Sequence, residues 1–264
     1  MNILYIGDVM GEMGLQVIEQ VLPELRESRQ IDLVIAQAEN VTEGRGISLE
    51  DFKRLQKTGV DFCTGGNWSL HHEDIIPMMN DLEQPIIRPA NYVSGTPGLG
   101  WKYVATAKGK VLVASLLGKV VGKDADKLID NPLQVIDRIL EEQKSVEHLA
   151  TVVNLHGDYS SEKVIIGHYL DGRATLVAGD HWHVPTADAR VLPKGTAHIT
   201  DVGMCGSLNS SLGITFDSVV PRWRDGVQTR NVLETAGPKQ FNAVLVKTSD
   251  SGLADSIVQI RQVF

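Results

Sequence analysis

The stretch NILYIGDVMGEMGLQVIEQVLPELRESRQIDLVIAQAEN, residues 2–40, holds two short apolar runs separated by one amphipathic segment. Asn2 to Gly7 has strand length, and so does Asp32 to Ala38. Between them Leu15, Ile18, Val21, Leu22 and Leu25 recur at the spacing that gathers side chains on one helix face. Gly14 to Arg29 is therefore predicted helical, with Pro23 a kink or a boundary. Ser48 caps a second predicted helix reaching Thr58, with Asp51 three residues on, and Val60 to Thr64 reads as a third strand. A βαβαβ order with continuously apolar strands predicts a parallel arrangement covered on both faces.

Working outward, Tyr103 to Ala107 and Val111 to Leu117 are predicted as an antiparallel hairpin turning through Gly109. Asn131 to Lys144 reads as a helix with Pro132 in its favoured first turn. Strand Ala150 to Leu155, helix Ser161 to Tyr169, and strands Thr175 to Ala178 and Ala197 to Thr200 follow. HHEDIIPMMND reads as a helix opened by His71 and His72, while Asn242 to Lys247 and Ile257 to Val263 form a closing hairpin. Thr215 to Lys239 carries no assigned element. With 264 residues and 42% apolar content, one domain spanning residues 1–264 is expected.

A formal charge of -8 argues against an extended nucleic-acid surface, although bound cations can reverse the field locally for a small phosphorylated ligand. Cys63 and Cys205 lack metal-type spacing, and a reducing cytoplasm fits them. MNILYIGD has no basic n-region, and no run approaches the roughly 18 apolar residues of a membrane span, so a cytoplasmic protein with no membrane partner is expected.

Polar donors stand at successive predicted strand ends: Asp8, Glu39 with Asn40, Asn67, His156, and the pair His181 and His183. In open α/β folds such ends converge on one rim, where sites are built. Each residue alone also suits a turn, a helix cap or a satisfied core position. In an extended backbone His181 and His183 would point to one side and Trp182 to the other. Carboxylate, amide and imidazole without thiolate suit Fe, Mn or Zn and select none of them.

The strings IGDVMG, AENVTEGRGI, TGGN, RPANY, DNP, SSEKVIIGHYLDGR and GDHWHVPTADARVLPKGTAHITDVGMCG resemble the YmdB-type metallophosphoesterases of the calcineurin-like superfamily, from residue 1 to roughly residue 215. The resemblance implies an α/β sandwich of two packed mixed sheets flanked by helices. It implies one metal held by Asp8, Glu39, Asn40 and His183, and a second held by Glu39, Asn67, His156 and His181, with Glu39 bridging. It also implies a homo-oligomer and hydrolysis of a small phosphodiester, cyclic nucleotides included, by attack of metal-activated hydroxide.

One position departs from that family. In its GNH motif the histidine after the metal-binding asparagine protonates the leaving oxygen, and here Trp68 stands in that place. Indole is no general acid near neutral pH, and losing a positioned acid costs about 10² to 10⁴ in rate. His71 and His72 are substitute donors if their loop folds back, against a reading as solvated residues. Arg88 and Asn91 in RPANY are candidate phosphate contacts, against a structural turn at Pro89. Asp188 and Asp201 are candidates for orienting the ligating imidazoles. The alternative function is a metal-retaining pseudoenzyme that binds a nucleotide or a protein and turns over little.

Overall fold

A computed structural model describes residues 1–264. In chain order its elements are β1 (Asn2–Ile6), β2 (Asp8–Val9), α1 (Gly11–Ser28), β3 (Leu33–Gln37), α2 (Leu49–Thr58), β4 (Phe62–Thr64), α3 (Ile76–Asn80), β5 (Trp101–Thr106), β6 (Gly109–Leu117) and α4 (Pro132–Gln143). There follow β7 (Ala150–His156), α5 (Ser160–Tyr169), β8 (Leu176–Asp180), β9 (Arg190–Val191), β10 (Ala197–Ile199), β11 (Met204–Ser207), α6 (Phe216–Asp225), β12 (Lys239–Thr248) and β13 (Ala254–Val263).

The strands form two mixed sheets. One is seven-stranded in the order β2-β11-β12-β1-β3-β4, with β13 on the other edge of β12; the second is six-stranded in the order β5-β6-β7-β8-β10-β9. The parallel β1-β3-β4 set is the one expected from the alternating pattern; β6-β7-β8 are also parallel, and β12 joins β1 antiparallel. Successive strand side chains face opposite sides. Leu4 and Ile6 of β1 therefore share a core with Val17 and Ile18 of α1 and Phe52 of α2. Ile3 and Tyr5 share another with Val111, Val152, Leu176 and Ala197 of the second sheet. Helices α4 and α5 cover the far side through Val135, Ile136, Ile139 and Ile166. The layers run helix, sheet, sheet, helix.

The rows between the sheets change character along the strands. Apolar residues give way, toward the strands' C-terminal ends, to Tyr5, Gln37, Thr64, Ser115, Asn154, His156 and Asp180, all fully buried. That polar seam positions the site.

Several sequence expectations need correcting. Helix α1 starts at Gly11 rather than Gly14 and runs through Pro23. Pro23 removes the donor for the Glu19 carbonyl, but both residues are exposed, so water can satisfy it. Asp8, expected at the end of the first strand, instead opens the two-residue β2, paired with Met204. His71 and His72 precede a 3-10 turn at Glu73–Ile75, and only Ile76–Asn80 is α-helical. Within the unassigned Thr215 to Lys239 stretch lies α6, which buries only Val219 and leaves Phe216, Val220 and Trp223 exposed. Pro221 lies inside it and is a helix-breaking signal in the sequence. No helix is long and apolar enough to cross a membrane.

Candidate metal centre

Strand ends bring the donors together. Asp8 opens β2, Glu39 and Asn40 follow β3, Asn67 follows β4, His156 ends β7, and His181 follows β8. Donor atoms of Glu39, His156 and His181 lie within 4.8 Å of one another, as do those of Asp8, His156 and Asp180. Two linked halves emerge. In one, His156 Nε2 lies 2.9 Å from Asn67 Oδ1 and 3.1 Å from Glu39 Oε1, and the His156 and His181 ring centroids are 4.4 Å apart. In the other, His183 Nε2 lies 3.2 Å from Asn40 Oδ1 and 3.9 Å from Asp8 Oδ1.

The donor set fits a cation. His156 Nδ1 donates to Asp180 Oδ1 at 2.6 Å, which leaves Nε2 as a lone pair when the ring is neutral. That lone pair then faces two acceptors, Asn67 Oδ1 and Glu39 Oε1. His183 Nδ1 likewise donates to the Leu212 carbonyl at 3.2 Å, turning its Nε2 toward Asn40 and Asp8. Asp8 Oδ1 and Glu39 Oε1 are buried and accept no hydrogen bond. Buried acceptors gathered without donors repel one another unless positive charge stands among them.

The titration tendencies agree. Burial, then the charges of Asp180 and Asp201, push Asp8 well above the usual carboxylate range. Burial disfavours a charged His156, yet Glu39 and Asp180 outweigh it and hold the imidazole well above its ordinary value. This proton occupies the place where a metal would supply charge. Burial drives His181 down to about 2 and His183 to about 4, so both rings are neutral at physiological pH, the form that coordinates metal.

The histidine pair reaches the site by a route other than the expected extended alternation. Strand β8 ends at Asp180, and His181 and His183 take positive φ angles of 98° and 62°. A buried framework holds this unusual turn. Asp8 Oδ2 accepts the His181 N–H at 3.1 Å, and Asp201 Oδ2 accepts the Trp182 N–H at 2.9 Å. Lys163 Nζ donates to Asp180 O at 2.6 Å and Asp201 Oδ2 at 2.9 Å, and sits 4.0 Å from the Trp182 ring centroid. Trp182 Nε1 donates to Asp158 O, so this indole braces the turn.

The imidazole-orienting role expected of Asp188 and Asp201 falls elsewhere. Asp188 accepts from Thr186 and Thr200, and Asp201 from the backbone of Trp182 and Gly203 and from Lys163. Asp180 instead holds His156, and Asp158 Oδ1 stands 3.3 Å from His181 Nε2. Asp180 is itself fixed by Tyr5 at 3.1 Å, by Gln37 at 3.0 Å, and by Asn154. Its place on the Leu176, Ala178, Asp180 row of β8 was a usable signal; nothing in the sequence pattern marked Asp158.

Arg88 and Asn91 are occupied in holding loops. Arg88 donates to the carbonyls of Pro89, Thr96 and Pro97, and Asn91 bridges the Leu117 and Asp130 backbones. These bonds replace the phosphate contacts expected of them. Trp68 is half-buried beside the cluster, with its backbone N–H donating to Glu39 Oε2 at 2.9 Å. The His71 ring meets the Trp68 edge at a centroid distance of 5.5 Å, and His72 Nε2 donates to the Arg45 carbonyl at 2.9 Å. The imidazoles expected as substitute acids thus contact Trp68 and the Arg45 loop. Asn67 Nδ2 donates to Asp124 Oδ2 at 2.7 Å, which turns its Oδ1 toward His156.

Residues 4–260 match the model of the YmdB-like protein family. A Bacillus subtilis (strain 168) relative named 2',3'-cyclic-nucleotide 2'-phosphodiesterase is 33% identical over 250 residues, covering 95% of this chain and 92% of the relative. A crystal structure of a phosphatase from Mycoplasma pneumoniae superposes with a TM-score of 0.91 at 29% identity, covering 100% of this chain and 93% of that one. A crystal structure of a Thermus thermophilus protein gives a TM-score of 0.90 at 33% identity, covering 100% and 99%. Fold and site define a hydrolase of the phosphoesterase class. The chain belongs to the YmdB-like family.

Proposed function

We propose that this protein is a dinuclear metal-dependent phosphodiesterase that acts on a small phosphodiester such as a 2',3'-cyclic nucleotide. The supporting observation is the convergence of buried oxygens and imidazole nitrogens at the strand ends, above all Asp8 Oδ1 and Glu39 Oε1, which accept no hydrogen bond. Asp8, Glu39, Asn40 and His183 would hold one ion; Glu39, Asn67, His156 and His181 would hold the other. Iron, manganese or zinc suits these donors. When bound, the ions would supply Lewis acidity, activating water near neutral pH and offsetting phosphoryl charge. Asp180 keeps the His156 ring oriented, and the Lys163–Asp201 pair keeps the histidine turn in place.

The cyclic-nucleotide assignment draws on the activity named for the Bacillus subtilis relative. We read the protein as cytoplasmic, in keeping with two buried free thiols. Trp68 donates no proton to a leaving oxygen, so esters whose leaving groups need little help are favoured. A metal-retaining regulator with little turnover is the weaker reading, because the donor set is whole and relatives are named for hydrolysis.

The test is hydrolysis of bis(p-nitrophenyl) phosphate and of adenosine 2',3'-cyclic phosphate by manganese-loaded protein. Cleavage of both, faster on the aryl ester, is expected. Inactivity on both, with two ions per chain measured by elemental analysis, contradicts the proposal.

A further inference from the structure

A cavity of about 170 Å³ opens beside Trp68, and its walls grow from the loops that hold the candidate ligands. One wall is the tight loop after Asn40: Asn40 Nδ2 donates to Gly44 O at 3.0 Å, and Gly46 N–H donates to Glu39 O. A second wall includes Ile214, two residues beyond the Leu212 carbonyl that accepts from His183. The third is the His71 and His72 segment that follows Trp68.

Its lining is cationic, and its guanidiniums are unpaired. Arg45 and Arg230 both border the cavity, and neither is paired with a carboxylate, whereas Arg26 and Arg54 elsewhere are bound to Asp61 and to Glu12 and Glu19. The Arg45 guanidinium lies 5.1 Å from the Trp68 ring centroid, a stacking contact that leaves its planar N–H edge free. Asn231 adds an amide, and Glu43 is the one acid in the lining. The volume lies below the roughly 300 Å³ at which pockets enclose a drug-sized ligand, so it suits one functional group of a substrate. Two unpaired guanidiniums lining one small cavity favour a phosphate over a nucleobase or a sugar.

We infer that this cavity is a subsite for a second phosphate, and that the substrate class is a small phosphodiester that also carries a terminal phosphate monoester. The inference rests on the phosphodiesterase reading and narrows it. A nucleoside 2',3'-cyclic phosphate with a 5'-phosphate has the required chemistry: the diester meets the buried donors while the monoester meets Arg45 and Arg230.

Two measurements on the full-length, manganese-loaded protein test this. In the first, kcat/KM for adenosine 2',3'-cyclic phosphate is compared with that for its 5'-phosphorylated form. The phosphorylated substrate should be favoured on the order of tenfold or more, mainly through KM. Arg45→Ala and Arg230→Ala should each pull that ratio toward one, while Arg138→Ala, on α4, keeps it. A ratio ignores the fraction of active protein, so partial misfolding cannot imitate the result. In the second, calorimetry compares adenosine 3',5'-bisphosphate with adenosine 3'-phosphate, with inorganic phosphate as a further titrant. Tighter binding of the bisphosphate that depends on Arg45 supports the subsite even if no ester is cleaved, in which case the phosphodiesterase reading alone fails. Hydrolysis of both esters at equal kcat/KM overturns the subsite and spares the activity. Inorganic phosphate binding as tightly as the bisphosphate also overturns it, because the pocket would then be a free-anion site.

Discussion

Asp8, His156 and Asp180 are fully buried at strand ends, whereas Arg45, His71 and Arg230 stand exposed on loops around Trp68. The inner group is locked by its neighbours: Asp180 alone is gripped by Tyr5, Gln37, Asn154 and His156. The outer group has few fixed partners, and its polar atoms are available to a ligand. The inner side therefore sets which reaction the site can run. The rim can change preference among substrates without disturbing the fold, and half-buried Trp68 stands on that rim.

The sharpest way to break this contrast is on the inner side. Glu39→Gln removes the carboxylate proposed to serve both ions and should lower phosphodiester hydrolysis on the order of a thousandfold or more, with the bound metal content falling in elemental analysis. Full activity with both ions retained would show that Glu39 bridges nothing. Gly66→Ala should come next. Its added Cβ would lie 2.4 Å from His156 Cδ2 and 2.5 Å from Glu39 Oε2, so the methyl group must displace the donors. A loss of about a hundredfold in kcat is expected, since a 1 Å misplacement has that scale, with far-UV circular dichroism unchanged.

Chelation probes the same side through stability. Removing metal leaves Asp8 and Glu39 without compensating charge, so the melting temperature should fall and recover with manganese. At a hundredfold excess over Kd the recovery corresponds to about 2.7 kcal/mol. A melting curve indifferent to chelator and metal would count against a built metal site. The smallest effect is expected at the rim: Trp68→His should raise cleavage of the cyclic nucleotide relative to the aryl ester by about tenfold, a fraction of what an optimised acid supplies. Equal changes on both substrates would mean that leaving-group protonation is not what Trp68 limits.

The same contrast explains what the sequence disclosed. Strand rows with period two and helices with period near 3.6 are enforced by burial, so β1, β3, β7 and α1 could be read from Ile3, Leu33, Val152 and Ile18. His156 was legible for that reason, as the polar end of an apolar strand. The His181 to His183 turn was not, because its left-handed residues are imposed by Asp8, Asp201 and Lys163, partners distant in sequence. Alternation gave a reason for the pairing that the backbone does not use. Helix α6 escaped because Pro221 interrupts its apolar spacing and reads as a breaker, and Arg88 misled because a guanidinium that bonds three loop carbonyls resembles a phosphate binder in composition alone.

The grip on Asp180 has a kinetic consequence. Tyr5, Gln37 and Asn154 fix the carboxylate that aims His156, so the imidazole is oriented before any ion arrives. Capture of metal by the folded chain should then be a single bimolecular event whose observed rate rises linearly with ion concentration, without the plateau that a slow rearrangement of the pocket would impose.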